Sequence, residues 1–351
     1  MKWFRRLAVT VVAIALCFGL AWMLFSRPIS ETLFRVGISL VPLPTEPRQE
    51  GIEVYLCGTG SPLTDPARSG PCLGVVAGGR GYVIDPGEGS ARRLAEMGFP
   101  IGALESVIIT HVHSDHIDGL GNILVQAWIV ASRSEPLTVI GPSGVERVVA
   151  GVNEMFAVDA TFRTAHHGDA IANPAGYGAE ALVLELEQFP VAPSEVPSSE
   201  GVTIRAVSVS HSPVHPAMGI RFDHAGRSVS FSGDTLYDSR FVALSEGVDM
   251  MIHDAMQHWM VGVLKERAAS TPNGAVAEKI LTDIIDYHAT PEDAAKAAQK
   301  AGAGALVLTH IAPPLPSALF YPAFLGDAPN LYDGPITVGE DGMVFSFDPV
   351  N

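Results

Sequence analysis

The chain has 351 residues, 47% of them hydrophobic and 17% charged, which is ample for a core and excludes a disordered protein. Its net charge is −16; residues 1–27 hold Lys2, Arg5, Arg6 and Arg27 and no acid, so the remainder sets 18 of the 22 basic residues against all 38 acidic ones, a net −20. A domain of that charge repels polyanions, and no basic stripe is legible, so nucleic acid is disfavoured as a partner.

Residues 7–25 form an apolar run in which only Thr10 is polar. At ~1.5 Å per helical residue the run spans about 28 Å, close to the hydrocarbon core of a bilayer. Lys2, Arg5 and Arg6 precede it, and the positive-inside bias then puts the N-terminus in the cytoplasm. The expectation is a signal anchor over residues 1–27, a transmembrane helix in the inner membrane with the rest of the chain on the periplasmic side. The alternative is a signal peptide cut near Gly19-Leu20-Ala21 and a secreted product. Four prolines and no lasting periodicity read as a linker over residues 28–50, and residues 51–351 as one domain. Cys57 ends one strand and Cys72 begins the next; a disulfide, which an exported compartment permits, and two buried thiols are both open.

From Glu53 onward EVYL reads as a strand, and LGVVA and GYVID as a hairpin across Gly78-Gly79-Arg80-Gly81. SARRLAEMG reads as a helix capped by Ser90, followed by helices near 119–132 and 143–156 with the strand LTVIG between them. ALVLELEQF is strand-like. The second half repeats one theme: TIRAVSVS runs to His211, SVSFSG to Asp234, MMI to His253 and ALVLT to His310. Each short β-rich run ends on a polar, ligand-type residue, as active sites at one edge of layered α/β sheets require. GAVAEKILTDIIDY and PEDAAKAAQKAG read as covering helices, the second with Thr290 as N-cap, Pro291 at N1, Asp293 as the capping acid and Gly302 as its stop.

The densest chemistry lies in VIITHVHSDHIDGLGN. Val107, Ile108 and Ile109 read as a buried strand that runs into His111, His113, Asp115 and His116. Residues i and i+2 of an extended segment point the same way, so His111 and His113 can close on one metal ion, and Asp115 and His116 can face a second. This nitrogen and oxygen donor set suits two divalent ions, zinc first, with manganese or iron as alternatives. His211, Asp234 and His310 bring the candidate ligands to seven.

The run from Thr110 to His116 is the HxHxDH pattern, and with it the chain resembles the metallo-β-lactamase superfamily over roughly residues 52–347. The resemblance implies an α/β fold, an αββα sandwich of two mixed sheets flanked by helices. It also implies that His111, His113 and His211 hold one metal, that Asp115, His116 and His310 hold the other, and that Asp234 bridges them, with Asp115 also catalytic. Tyr287-His288-Ala289-Thr290 resembles the His-Ser/Ala-Thr motif of ribonuclease Z-like and arylsulfatase-like members, where the histidine serves the leaving oxygen; that role falls on His288. Ile252-His253-Asp254-Ala255-Met256 resembles the ribonuclease Z His-Glu-Ala-Thr motif, with Asp for Glu and Met for Thr, and implies that Asp254 orients His288. Asp85, in Asp85-Pro86-Gly87-Glu88-Gly89, would hydrogen-bond a ligand histidine.

One departure shapes the expected substrate. Ribonuclease Z proteins that process tRNA carry a basic, Gly/Pro-rich arm, whereas between Ile140 and Thr203 this chain has no lysine and only Arg147 and Arg163. The expectation is therefore an exported, membrane-anchored dinuclear hydrolase of a small-molecule phosphodiester or sulfate ester, cleaved by a metal-activated water. The alternatives are a ribonuclease Z-like tRNA 3′-processing endonuclease or a lactonase, and more remotely a non-catalytic metal-binding membrane protein; a homodimer is open. Loops over residues 256–262 and 313–332, with Met256, Trp259, Met260, Leu319, Phe320, Tyr321 and Phe324, are expected to wall the pocket. His166, His167, His215, His224 and His258 read as surface residues.

Overall fold

The structure, a computed structural model, describes residues 2–41, 46–186, 193–272 and 274–350. The chain divides into two compact units, Met1–Leu43 and Pro44–Asn351. The first contains one helix, α1 (Lys2–Ser39), which runs on through Pro28. Pro28 has no N–H to return to the carbonyl four residues back, and its ring crowds that carbonyl. The arms Thr10–Leu20 and Phe25–Ser39 accordingly meet at 64°. Residues 28–39 are thus helical rather than a linker: Ile29, Leu33 and Val36 recur at helical spacing, a pattern the prolines mask. The linker's residues 42–45 lie outside the described residues. Among those described, no single helix is long and apolar enough to cross a membrane; the two bent arms meet that test of length and composition only together. The apolar run over 7–25 is one stretch of a longer bent helix.

In the second unit two mixed sheets, each of seven strands among the described residues, pack face to face. The first has the order β14-β1-β2-β3-β4-β5-β6, from β1 (Ile52–Gly58), β2 (Cys72–Ala77), β3 (Arg80–Ile84), β4 (Leu104–Ile108), β5 (Leu137–Gly141), β6 (Ala179–Val183) and, from the chain end, β14 (Val344–Phe347). The second has the order β13-β12-β11-β10-β9-β8-β7, from β7 (Ser194–Val196), β8 (Val202–Ser208), β9 (Met218–His224), β10 (Arg227–Phe231), β11 (Met250–Met256), β12 (Leu306–Ala312) and β13 (Ile336–Val338). In both sheets the strands from the middle to one edge are parallel and the others antiparallel.

Three apolar layers follow from the strand sequences. Between the sheets, Val54, Leu56 and Tyr82 meet Ile220, Phe222 and Ile252. Outside the first sheet, Val76, Val107 and Val139 are covered by Leu94 of α2 (Ser90–Glu96), Ile123 and Leu124 of α3 (Leu120–Val130) and Val149 of α4 (Val145–His167). Outside the second, Met251, Leu306 and Leu308 are covered by Phe241 of α5 (Ser239–Leu244) and by the alanine face of α8 (Pro291–Ala301). β11 and β12 are sandwiched on both sides, which is why they open as the continuous apolar runs Met250–Ile252 and Leu306–Leu308.

Several elements differ from expectation. α2 is capped by Gly89 in the left-handed region, and Ser90 is its first residue, the hydroxyl buried without a partner. α4 runs to His167 rather than ending near 156, because its distal half leaves Val158 and Phe162 exposed and carries no periodic signal. Residues 187–189 of the strand-like ALVLELEQF lie outside the described residues. Residues 258–262 belong to α6 (His258–Ala269), whose N-cap, Gln257, makes no capping bond that a sequence would announce. α7 (Gly274–Asp283) and a single 3-10 turn (Ile284–Tyr287) complete that excursion. Cys57 and Cys72 form a disulfide, with Cα atoms 5.0 Å apart.

α8 (Pro291–Ala301) ends, as its sequence indicates, on Gly302 in the left-handed region. The Thr290 hydroxyl accepts from the Asp293 N–H at 3.1 Å and donates to the Asp293 carboxylate at 2.9 Å. Replacing Thr290 with Ala should therefore cost about 1 kcal/mol of stability, read as a lower denaturant midpoint at unchanged m-value. An unchanged midpoint would mean that the cap contributes nothing.

Candidate active site

The candidate ligands reach one place because strands end there. After β4 the chain bends at Thr110 and then makes a single 3-10 turn, Ser114–His116, with His113 extended as its N-cap. His111 Nε2 lies 3.0 Å from His113 Nδ1, as the i, i+2 relation requires. His211 follows β8, and its Nε2 is 3.4 Å from His113 Nδ1. Asp234 follows β10 across Gly233, whose φ is +59° and whose added Cβ would meet the Met218 carbonyl oxygen at 2.7 Å, so only glycine fits this turn. His310 sits within β12 at a break in register: Asp254 pairs with Thr309 and Ala255 with Ile311. The bulge, with His310 at φ +49°, turns the imidazole into the site.

Donor atoms of His111, His113, His211 and Asp234 lie within 4.8 Å of one another, as do those of Asp115, His116 and His310. Asp234 Oδ2 stands between the groups, 3.2 Å from His116 Nε2, 3.3 Å from His310 Nε2 and 3.8 Å from His111 Nε2. Burial lowers the pKa of His111 well below its usual value and that of His211 to about 4, leaving neutral rings with lone pairs to share. Burial opposes ionisation of Asp115 and Asp234, but the neighbouring His310 and His116 outweigh it and hold both below the usual carboxylate range. His116 shows the reverse balance: burial disfavours its charge, and Asp234 and Asp85 win and raise it.

Around this cluster other groups fix the rings. Asp85, at φ +48°, accepts from the Thr110 N–H at 2.7 Å and the Thr110 hydroxyl at 2.6 Å, and its Oδ2 is 2.9 Å from His116 Nδ1. The Tyr287 carbonyl accepts from His211 Nδ1 at 3.0 Å. Asp254 Oδ2 is 3.1 Å from His288 Nδ1, close enough despite the shorter side chain, while its Oδ1 is 3.0 Å from His253 Nδ1. Thr110 and Tyr287 were missed as participants; the only sequence signal was their position beside His111 and His288. His258, read as a surface residue, is half-buried with Nε2 3.2 Å from the His288 carbonyl. Of the expected pocket wall, Met260 and Phe324 are core residues, whereas Trp259, Leu319 and Phe320 are exposed.

The residues fit a pair of divalent ions. Imidazole nitrogens face one another across about hydrogen-bond distance, with Asp234 among them, and such a nitrogen and oxygen donor set suits divalent cations.

Residues 80–311 match the model of the Beta-lactamase superfamily domain. A ribonuclease Z from Mycobacterium sp. (strain KMS) is 36% identical over 265 residues, 75% of this chain and 85% of that protein. One from Mycobacterium bovis (strain BCG / Pasteur 1173P2) is 35% identical over 264 residues, 75% and 86%. Among solved structures, human tRNase Z, short form, superposes with a TM-score of 0.58 at 21% identity, over 85% of this chain and 100% of that one. The metallo-beta-lactamase fold protein YhfI of Bacillus subtilis gives 0.58 at 19%, over 85% and 100%. At such identities these two speak for the fold alone.

The relatives correct the expected substrate. A hydrolase of small phosphate or sulfate esters, with nucleic acid disfavoured, does not stand against ribonuclease Z relatives at 36% identity across three-quarters of the chain. The charge argument failed because net charge is a whole-molecule sum, whereas exposed charges beyond roughly 8 Å are largely screened at physiological salt. The chain belongs to the metallo-β-lactamase superfamily and is a homologue of the ribonuclease Z proteins.

Proposed function

We propose that this protein is a ribonuclease Z-like endonuclease, which cuts a phosphodiester of precursor tRNA to form the mature 3′ end. The observation that carries the reading is the 36% identity with ribonuclease Z over 265 residues. The human tRNase Z likeness supplies the fold in which such a site is built.

His111, His113 and His211 would hold one divalent ion and Asp115, His116 and His310 the other, with Asp234 Oδ2 shared between them. When bound, the ions supply Lewis acidity and lower the pKa of water toward neutrality. The chain's own residues supply orientation and a proton. Asp85 accepts a hydrogen bond from the Nδ1–H of His116 and so points its Nε2 lone pair inward. The Tyr287 carbonyl does the same for His211. Asp254 accepts from His288 Nδ1–H, so that the ring, when protonated on both nitrogens, gives its Nε2 proton to the leaving ribose oxygen and returns to the neutral Nδ1–H form.

Full-length, metal-loaded protein should cleave a 3′-extended tRNA at a single position. Hydrolysis of bis(p-nitrophenyl) phosphate with no cut in the tRNA would overturn the ribonuclease reading. His288→Ala should lower turnover by roughly 10²- to 10⁴-fold while both metals stay bound; metal loss would instead make His288 a ligand. Asp85→Asn should weaken metal affinity by roughly 10- to 100-fold, and Asp234→Ala should abolish metal binding, both read by metal analysis after dialysis. Unchanged stoichiometry in Asp234→Ala would contradict the shared-ligand assignment.

A further inference from the structure

Tyr287 is the last residue of the 3-10 turn that delivers His288. In the same turn Ile284 and Ile285 pack into a small core with Met256, Val261, Leu281 and Ala312, which anchors the segment. Among the described residues Tyr287 joins none of the apolar clusters. Its ring lies instead against the metal-site imidazoles, with its centroid 4.8 Å from His211, 4.7 Å from His288 and 6.4 Å from His113. It is partly exposed, as is His113, whereas His211 and His288 are buried. Its backbone carbonyl already serves His211, so the ring is not needed to place that ligand.

We propose that Tyr287 is a specificity-determining residue whose ring stacks on one of the two nucleosides that flank the scissile phosphate, an inference that rests on the ribonuclease reading. A phosphate seated among His113, His211 and His288 brings a flanking ribose and base within reach of this ring. Unpaired RNA bases are commonly recognised by stacking on aromatic side chains. Stacking needs no charged partner at the ring and is open to any base, since every base has a π-face.

The test compares the full-length, metal-loaded chain with Tyr287→Ala and Tyr287→Phe. The probes are a 3′-extended tRNA, the same RNA with an abasic ribose on either side of the scissile bond, and bis(p-nitrophenyl) phosphate. Tyr287→Ala should lose about 5- to 150-fold in kcat/KM on the intact RNA, mostly through KM, with metal content unchanged. Tyr287→Phe should keep the activity. Removing the stacked base should cost the unaltered chain the same factor, and Tyr287→Ala should then add nothing. An unaffected Tyr287→Ala, a Tyr287→Phe as impaired as the alanine variant, or a full alanine loss on both abasic RNAs would overturn the inference and leave the ribonuclease reading intact. Hydrolysis of the aryl diester without RNA cleavage would remove that reading, and the nucleoside with it.

Discussion

The Asp234 carboxylate is 2% exposed, and its Oδ2 lies within 4.0 Å of ring nitrogens from His111, His116, His211, His288 and His310. A buried anion ringed by imidazoles is costly unless positive charge offsets it. That requirement accounts for the way the surrounding backbone is built. Asp85 and His310 accept the left-handed region, Gly233 makes a turn no other residue would fit, and a bulge interrupts β12 at the ligand. Strain of this kind persists only where the rest of the fold holds it, here two sheets and three apolar layers.

The outer groups divide the work. Asp85 and the Tyr287 carbonyl each accept a hydrogen bond from one ring N–H and so decide which nitrogen of His116 and His211 faces inward. Asp254 does the same for His288, and is itself held by His253, fully buried against Phe241. The excursion through α6 and α7 runs between Asp254 and His288, so it carries the proton-donating half of the site as one unit anchored at both ends in the sheet region.

The metal cluster was legible in the sequence because its chemistry is local: four ligand-type residues in six, at the end of a β-branched run, leave few other readings. His211 and Asp234 were legible by their places after short β-rich runs and His310 at the end of the run ALVLT, although β12 continues past it to Ala312, and the α8 cap by the adjacent Thr290, Pro291 and Asp293. What escaped notice depends on contacts between distant segments. Thr110 matters only because Asp85 reaches it from β3, and the ring of Tyr287 only because His211 arrives from β8. The distal half of α4 and the helical part of residues 28–39 bury too little, or carry too much proline, to show a period. The substrate was misjudged from a global charge, which says little about a particular site.

The most direct measurement is a zinc titration of the metal-free, full-length protein followed by cleavage of a 3′-extended tRNA. The account predicts that cleavage rises to a break at two equivalents of zinc and is abolished by a chelator. Cleavage that ignores the chelator, a break at one equivalent, or two bound zinc ions with no cut in the RNA would contradict it.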